Sequence, residues 1–264
     1  MDDVKQPLTA HLEELRTRLI RSLIALGIAF VVCYQFVDGI MDWLQAPIRH
    51  LATPIKVAMI GTGLAEAFFT KLKVALFAAI FAASPAIFYQ LWKFVAPGLY
   101  DSEKRYVKPF VFFGTLFFVS GAYFCYRFVF PTAFGFFVSE YASVSIEPFL
   151  KISEYLSFVS RMLLAFGIVF ELPVFTFFLA RVGIVDHRMM IGAWRWSVVG
   201  IFIVAAVLTP GPDVASQLLM ATPLLILYAV SIAVAYGFGR PRSGATSVAA
   251  RGDDGEPGSP GKNA

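Results

Sequence analysis

Long apolar runs alternate with short polar breaks along this chain, at about 19–37, 72–95, 107–130, 152–180, 193–209 and 214–236. A bilayer core about 30 Å thick needs about 20 apolar residues per spanning helix. Only helices and closed barrels satisfy their backbone groups in lipid, and the ten-residue alternation of a membrane barrel is absent. The pattern therefore predicts an all-α membrane protein with six transmembrane helices. The two C-terminal spans read as short. The fifth holds about 14 apolar residues, about 20 Å of helix at 1.5 Å each. A short span thins the bilayer, draws in flanking residues or packs on a partner. Residues 1–236 read as one membrane domain. Residues 237–264, rich in Gly, Pro and Ser, read as a disordered cytoplasmic tail.

Local signals refine this frame. Leu8, Leu12, Leu15 and Leu19 recur at helical spacing, with His11, Glu14 and Arg18 on the opposite side. That apolar face is expected to rest on the membrane surface before the chain turns inward near Leu19. The first run is too long for a secretory h-region and lacks a cleavage site, so it reads as a retained helix. In the 38–70 loop, a short amphipathic piece (Ile40, Trp43, Leu44) is expected to end before Pro47 and to cap the bundle's outer mouth. Pro85 predicts a kink, with a Ser or Thr satisfying the freed carbonyl. The third span is expected to end near Pro131, ahead of an aromatic loop at 131–151. No strand is expected.

Composition fixes the solvent. A chain that is 58% hydrophobic and 15% charged cannot hide its apolar surface in one water-soluble domain. Six spans put both termini on one side. That side carries 15 of the 22 Lys and Arg residues, and the other carries 7. The positive-inside rule makes the richer side cytoplasmic, and it explains the basic loops without nucleic acid. Cys33 and Cys125 lie within apolar runs and act as small hydrophobes. HExxH, GxSxG and GxxxxGK[ST] motifs are all missing, so no catalytic site, metal or cofactor is predicted.

The candidate chemistry lies in carboxylates. Glu13 and Glu14 precede the first span, and Asp101 and Glu103 lie between the second and third. If those ends adjoin, paired carboxylates suit the recognition of consecutive guanidinium groups. Spacing alone favours the plainer reading, in which Glu14 pairs with Arg18 at i,i+4 and Asp101 caps a helix. Glu171 falls inside an apolar span, where an ionisable group costs at least ~2.5 kcal/mol. It is expected to face the bundle interior, either as a docking or proton-linked group or as a protonated, bonded one. Thr209, Ser216 and Gln217 add a polar group by the last two spans, of the kind that binds helices together in lipid. Glu66, Lys71 and Lys73 read as interfacial anchors.

Four ordered motifs carry a resemblance. His11-Leu12-Glu13-Glu14-Leu15-Arg16-Thr17-Arg18-Leu19 is similar to the N-terminal HLxELRxRL signature of the TatC family, receptor subunits of the twin-arginine protein translocase. Pro85 to Tyr100 followed by Glu103-Lys104-Arg105, then Tyr155-Leu156-Ser157-Phe158 leading to Glu171-Leu172-Pro173, and lastly Leu208-Thr209-Pro210 with Asp213 to Gln217 resemble three further signatures. The turn at 209–213 is longer than the family's.

The resemblance implies a glove-like bundle with a concave face in the cytoplasmic (inner) membrane, both termini cytoplasmic. It implies binding of twin-arginine signal peptides of folded cargo. It puts the arginine contacts on Glu14 and Glu103, with Leu8, Arg16, Gln90 and Phe94 near them, and so reverses the preference for the plainer reading. Glu171 matches the family's intramembrane glutamate. Thr209 and Gln217 match a polar patch where single-helix subunits of the TatA and TatB type dock in a multimeric complex powered by the proton-motive force. The alternatives are a secondary transporter of a small solute, against which the lack of an internal repeat counts, and an insertion factor with no receptor site.

Overall fold

Apolar runs that must bond their own backbone in lipid become helices, and helices dominate the fold. The structure, a computed structural model, describes residues 8–49, 58–95, 107–143, 148–209 and 214–238. The helices are α1 (Leu8–Gln35), α2 (Val37–Arg49), α3 (Glu66–Val95), α4 (Val107–Phe124), α5 (Phe130–Ser143), α6 (Ile152–Phe170), α7 (Leu172–Val182), α8 (His187–Gly192), α9 (Trp194–Leu208) and α10 (Val214–Phe238). Among the described residues, five segments are long and apolar enough to cross a membrane: Leu12–Gln35, Glu66–Phe94, Pro109–Tyr141, Ile152–Val182 and Gln217–Phe238. Helix α9 is apolar but only 15 residues long.

Several expected boundaries move. Helix α1 is uninterrupted from Leu8, so no turn near Leu19 divides a surface segment from a span. Of the two C-terminal spans only α9 is short. Helix α10 runs 25 residues, and its Gln217–Phe238 stretch of 22 residues covers about 33 Å. It also passes 236, where the tail was expected to begin; residues from 239 onward lie outside the described residues.

Prolines explain the other shifts. The chain does not leave the helix at Pro131. A π-helical segment, Cys125–Val129, joins α4 to α5, with the Phe130 N–H bonded to Cys125 O. This wide turn falls directly before Pro131, where a missing N–H and a bulky ring need room. Helix α2 likewise continues through Pro47, because Trp43 O, the carbonyl that Pro47 leaves free, accepts from the Tyr126 hydroxyl at 2.9 Å. Helix α3 stays helical through Pro85, and the Ser84 hydroxyl donates to Phe81 O at 2.7 Å, the compensation expected there. Pro173 sits in the first turn of α7, after a break at Glu171.

Two strands were not foreseen. β1 (Ala58–Ile60) and β2 (Phe149–Lys151) pair in parallel, with Met59 opposite Leu150. They tie the two long connections together at one end of the bundle. There α2 buries Val37, Met41, Leu44 and Ile48 in the main core, which also holds Phe130, Phe134, Tyr155 and Phe166. A second cluster, Trp92, Phe110 and Val174, packs α3, α4 and α7, with the Trp92 and Phe110 rings stacked at 4.6 Å.

Glycines set the central approach of α4 to α6. A Cβ on Gly121 would fall 2.6 Å from Phe166 O, and one on Gly167 would fall 2.8 Å from the Phe118 ring. No side chain larger than hydrogen fits either position without displacement, as at close crossings of membrane helices.

Candidate functional site

Helix α1 packs against α3 with its charged face. Arg18 and Glu14 keep only 15% and 24% of their side chains exposed, whereas Leu12, Leu15 and Leu19 are all exposed. Arg18 Nη2 donates to Glu14 Oε1 at 2.9 Å. Its Nη1 makes a longer contact, 3.4 Å, to Gln90 Oε1 on α3. One guanidinium thus bridges a carboxylate of α1 and a carboxamide of α3. Arg18 Nε is buried with no hydrogen-bond partner among the described residues.

The family-derived site residues distribute around this bridge. Glu14 and Gln90 are brought together through Arg18. Phe94, half-buried, lies one turn beyond Gln90 on α3. Arg16 is exposed and only two residues from Glu14, so it projects from another side of α1. Leu8 begins α1, but its side chain lies outside the described residues. So do Glu103 and Asp101, whose segment, 96–106, joins the end of α3 to the start of α4. The ion pair that spacing favoured is present, and its contact with Gln90 was not foreseen. The i,i+4 spacing signalled Glu14 and Arg18, and the family resemblance set Gln90 near Glu14; neither named Arg18 as the link between residues 72 positions apart.

Glu171 is buried, with 5% of the residue exposed, at the break between α6 and α7. A Cβ on Gly114 of α4 would lie 3.4 Å from its Oε2, at van der Waals contact, so this carboxyl lies against α4. Its Oε1 has no hydrogen-bond partner among the described residues. Thr209 and Gln217 flank the turn between α9 and α10. The Thr209 hydroxyl donates to Ala205 O at 2.7 Å, and Gln217 Nε2 donates to Phe202 O at 3.0 Å. Both bond carbonyls of α9, while Glu171 meets α4, so the three residues have separate partners. The side chain of Ser216 is outside the described residues.

Residues 10–223 match the family model described as Sec-independent protein translocase protein (TatC). The chain belongs to the TatC family. A TatC protein from Desulforapulum autotrophicum is 45% identical, with 96% of this chain and 93% of that protein covered. One from Campylobacter jejuni is 42% identical over 87% of this chain and 93% of its own length. A solved structure, "Crystal Structure of Twin Arginine Translocase Receptor- TatC", aligns with a TM-score of 0.77 and 35% identity, covering 85% of this chain and 97% of that one. A second, of the TatC receptor in DDM, gives 0.78 and 34%, covering 85% and 99%. TatC membership makes this a multi-pass membrane component of a protein translocase. It gives no support to the solute-transporter alternative.

Proposed function

We propose that this chain is the receptor component of a twin-arginine translocase, binding signal peptides with consecutive arginines and nucleating export of folded proteins across the cytoplasmic membrane. One observation carries the reading beyond family membership. An acceptor from α1 and an acceptor from α3 already converge on the terminal nitrogens of a single guanidinium. Carboxylates take guanidinium in a two-point grip that ammonium cannot reproduce. Glu14 and Glu103 hold the two peptide arginines, and Leu8, Arg16, Gln90 and Phe94 border them.

The membrane domain is assigned to residues 1–236, with α9 as a sixth, short span and both termini cytoplasmic. The 15 to 7 division of basic residues supports that orientation. Single-helix subunits of the TatA and TatB type dock beside α9 and α10, where a 15-residue helix leaves mismatched lipid for a partner to cover. Thr209, Gln217 and Glu171, whose Oε1 has no hydrogen-bond partner among the described residues, are the polar contacts offered.

The test is direct binding of a twin-arginine peptide to the full chain in nanodiscs. A charge-assisted bond is worth about 1.5–3 kcal/mol, so Glu14→Gln and Glu103→Gln should each lower affinity about tenfold or more. Undiminished binding by the double variant removes the assignment.

A further inference from the structure

The acceptors that a receptor would offer to a peptide arginine are already occupied by an arginine of the chain itself. Arg18 holds Glu14 at 2.9 Å and Gln90 at 3.4 Å, and its side chain is 15% exposed. The pair is electrically neutral, so Glu14 does not present a bare negative charge. We propose that Arg18 is a built-in competitor of the signal peptide: it fills the Glu14–Gln90 acceptor pair in the empty receptor, yields it to a peptide arginine, and so raises the affinity that any newcomer needs to open the site. The proposal rests on the assignment of Glu14 to the peptide site.

Three features support competition. Arg18 sits one helical turn from Glu14, so its effective concentration at the carboxylate is high and any newcomer must bind better. Its grip is nonetheless incomplete. The Gln90 contact exceeds the usual 2.7–3.2 Å range, and Nε is buried without an acceptor among the described residues. A group with complete bonding can therefore displace it, and its flexible stem can return the head to water. A peptide guanidinium brings the same planar fork. A lysine ammonium is a compact, strongly hydrated point charge that does not span both acceptors, so it gains too little to expel Arg18. Without Arg18, Glu14 becomes an open anion that takes either cation.

The experiment compares two peptides, identical except for Arg-Arg or Lys-Lys, binding to the full chain in nanodiscs. Wild type, Arg18→Gln, Arg18→Lys and Glu14→Gln are measured, with thermal melting as the folding control. Arg18→Gln should bind both peptides about tenfold more tightly than wild type, because removing a competitor frees the same site for each by the same factor. Arg18→Lys, which keeps charge and reach but not the fork, should fall between, and it carries the test if Arg18→Gln does not fold. Unchanged or weakened binding of both peptides in both variants makes Arg18 a brace and overturns the proposal. Glu14→Gln separates the two claims. If it keeps full Arg-Arg affinity, the receptor site itself is misassigned. If it loses affinity while the Arg18 variants bind neither peptide more tightly, only the competitor role falls.

Discussion

A proline inside a helix removes one donor and frees one carbonyl, and the fate of that carbonyl decides whether the helix continues. Pro47 frees Trp43 O, which the Tyr126 hydroxyl takes at 2.9 Å; the adjacent Leu44 O accepts the Tyr155 hydroxyl, also at 2.9 Å. The Tyr126 ring also stacks on Trp43, with centroids 4.0 Å apart. These two tyrosines fasten α2 to the bundle. Tyr155 is the more buried, so removing its hydroxyl strips a bond from a carbonyl that water cannot reach. Tyr155→Phe should cost about 1–2 kcal/mol and Tyr126→Phe less, read as shifts in SDS-induced unfolding from mixed micelles. Equal, negligible shifts would mean that neither bond holds α2. Compensation at Pro85 was legible because Ser84 is its neighbour. At Pro47 it was not, because the hydroxyls come from 83 and 111 positions away.

At the scale of elements, periodicity located the faces of α1 and gave the apolar one to the membrane, but it did not say what the charged one meets. In water the apolar face turns inward; in lipid it can face the solvent, and the charged face needs protein partners. Leu12, Leu15 and Leu19 are accordingly exposed, while Glu14 and Arg18 meet α3. The Arg18–Gln90 contact follows from that inversion; the resemblance set Gln90 near Glu14, but only the packing names Arg18 as the link. The approach of α4 to α6 was equally hidden, since a glycine in an apolar run does not name its neighbour. Gly121→Ala and Gly167→Ala each push a methyl into occupied space, 2.6 Å from Phe166 O and 2.8 Å from the Phe118 ring. Overpacking of this kind costs about 1–3 kcal/mol. Both substitutions force the same two helices apart, so the second methyl finds room that the first has opened. The double variant should cost less than the sum of the singles, measured by the same SDS titration. Strict additivity would show that the two contacts yield independently.

Across the whole molecule, α3 connects two ends that the fold equips differently. Glu66, its first residue, has the opposite end's Gln90 24 positions away, about 36 Å along a helix. At the Glu66 end, one carboxylate gathers two connections. Its Oε2 accepts from the Thr62 and Gly63 N–H groups at 2.6 and 3.0 Å, and its Oε1 accepts from the Ser153 hydroxyl at 2.5 Å. The β1–β2 pair lies beside this clasp, and Lys71 Nζ of α3 holds Asp38 of α2 at 2.6 Å. From its place in the sequence Glu66 reads as a plain interfacial anchor, because its partners come from a loop and from Ser153, 87 positions distant. Glu66→Ala removes every one of those acceptors while leaving the apolar packing of α2 intact. Amide hydrogen exchange at 58–66 and 149–153 should then speed up about tenfold or more, since local opening there no longer breaks the clasp. Twin-arginine peptide affinity at the distant Glu14 and Gln90 should stay unchanged, because no carboxylate or helix contact at that end depends on Glu66. Exchange at the wild-type rate would show that backbone pairing alone holds the connections. Faster exchange together with lost peptide affinity would show instead that α3 transmits the state of one end to the other, and the two ends could no longer be treated as separate machines.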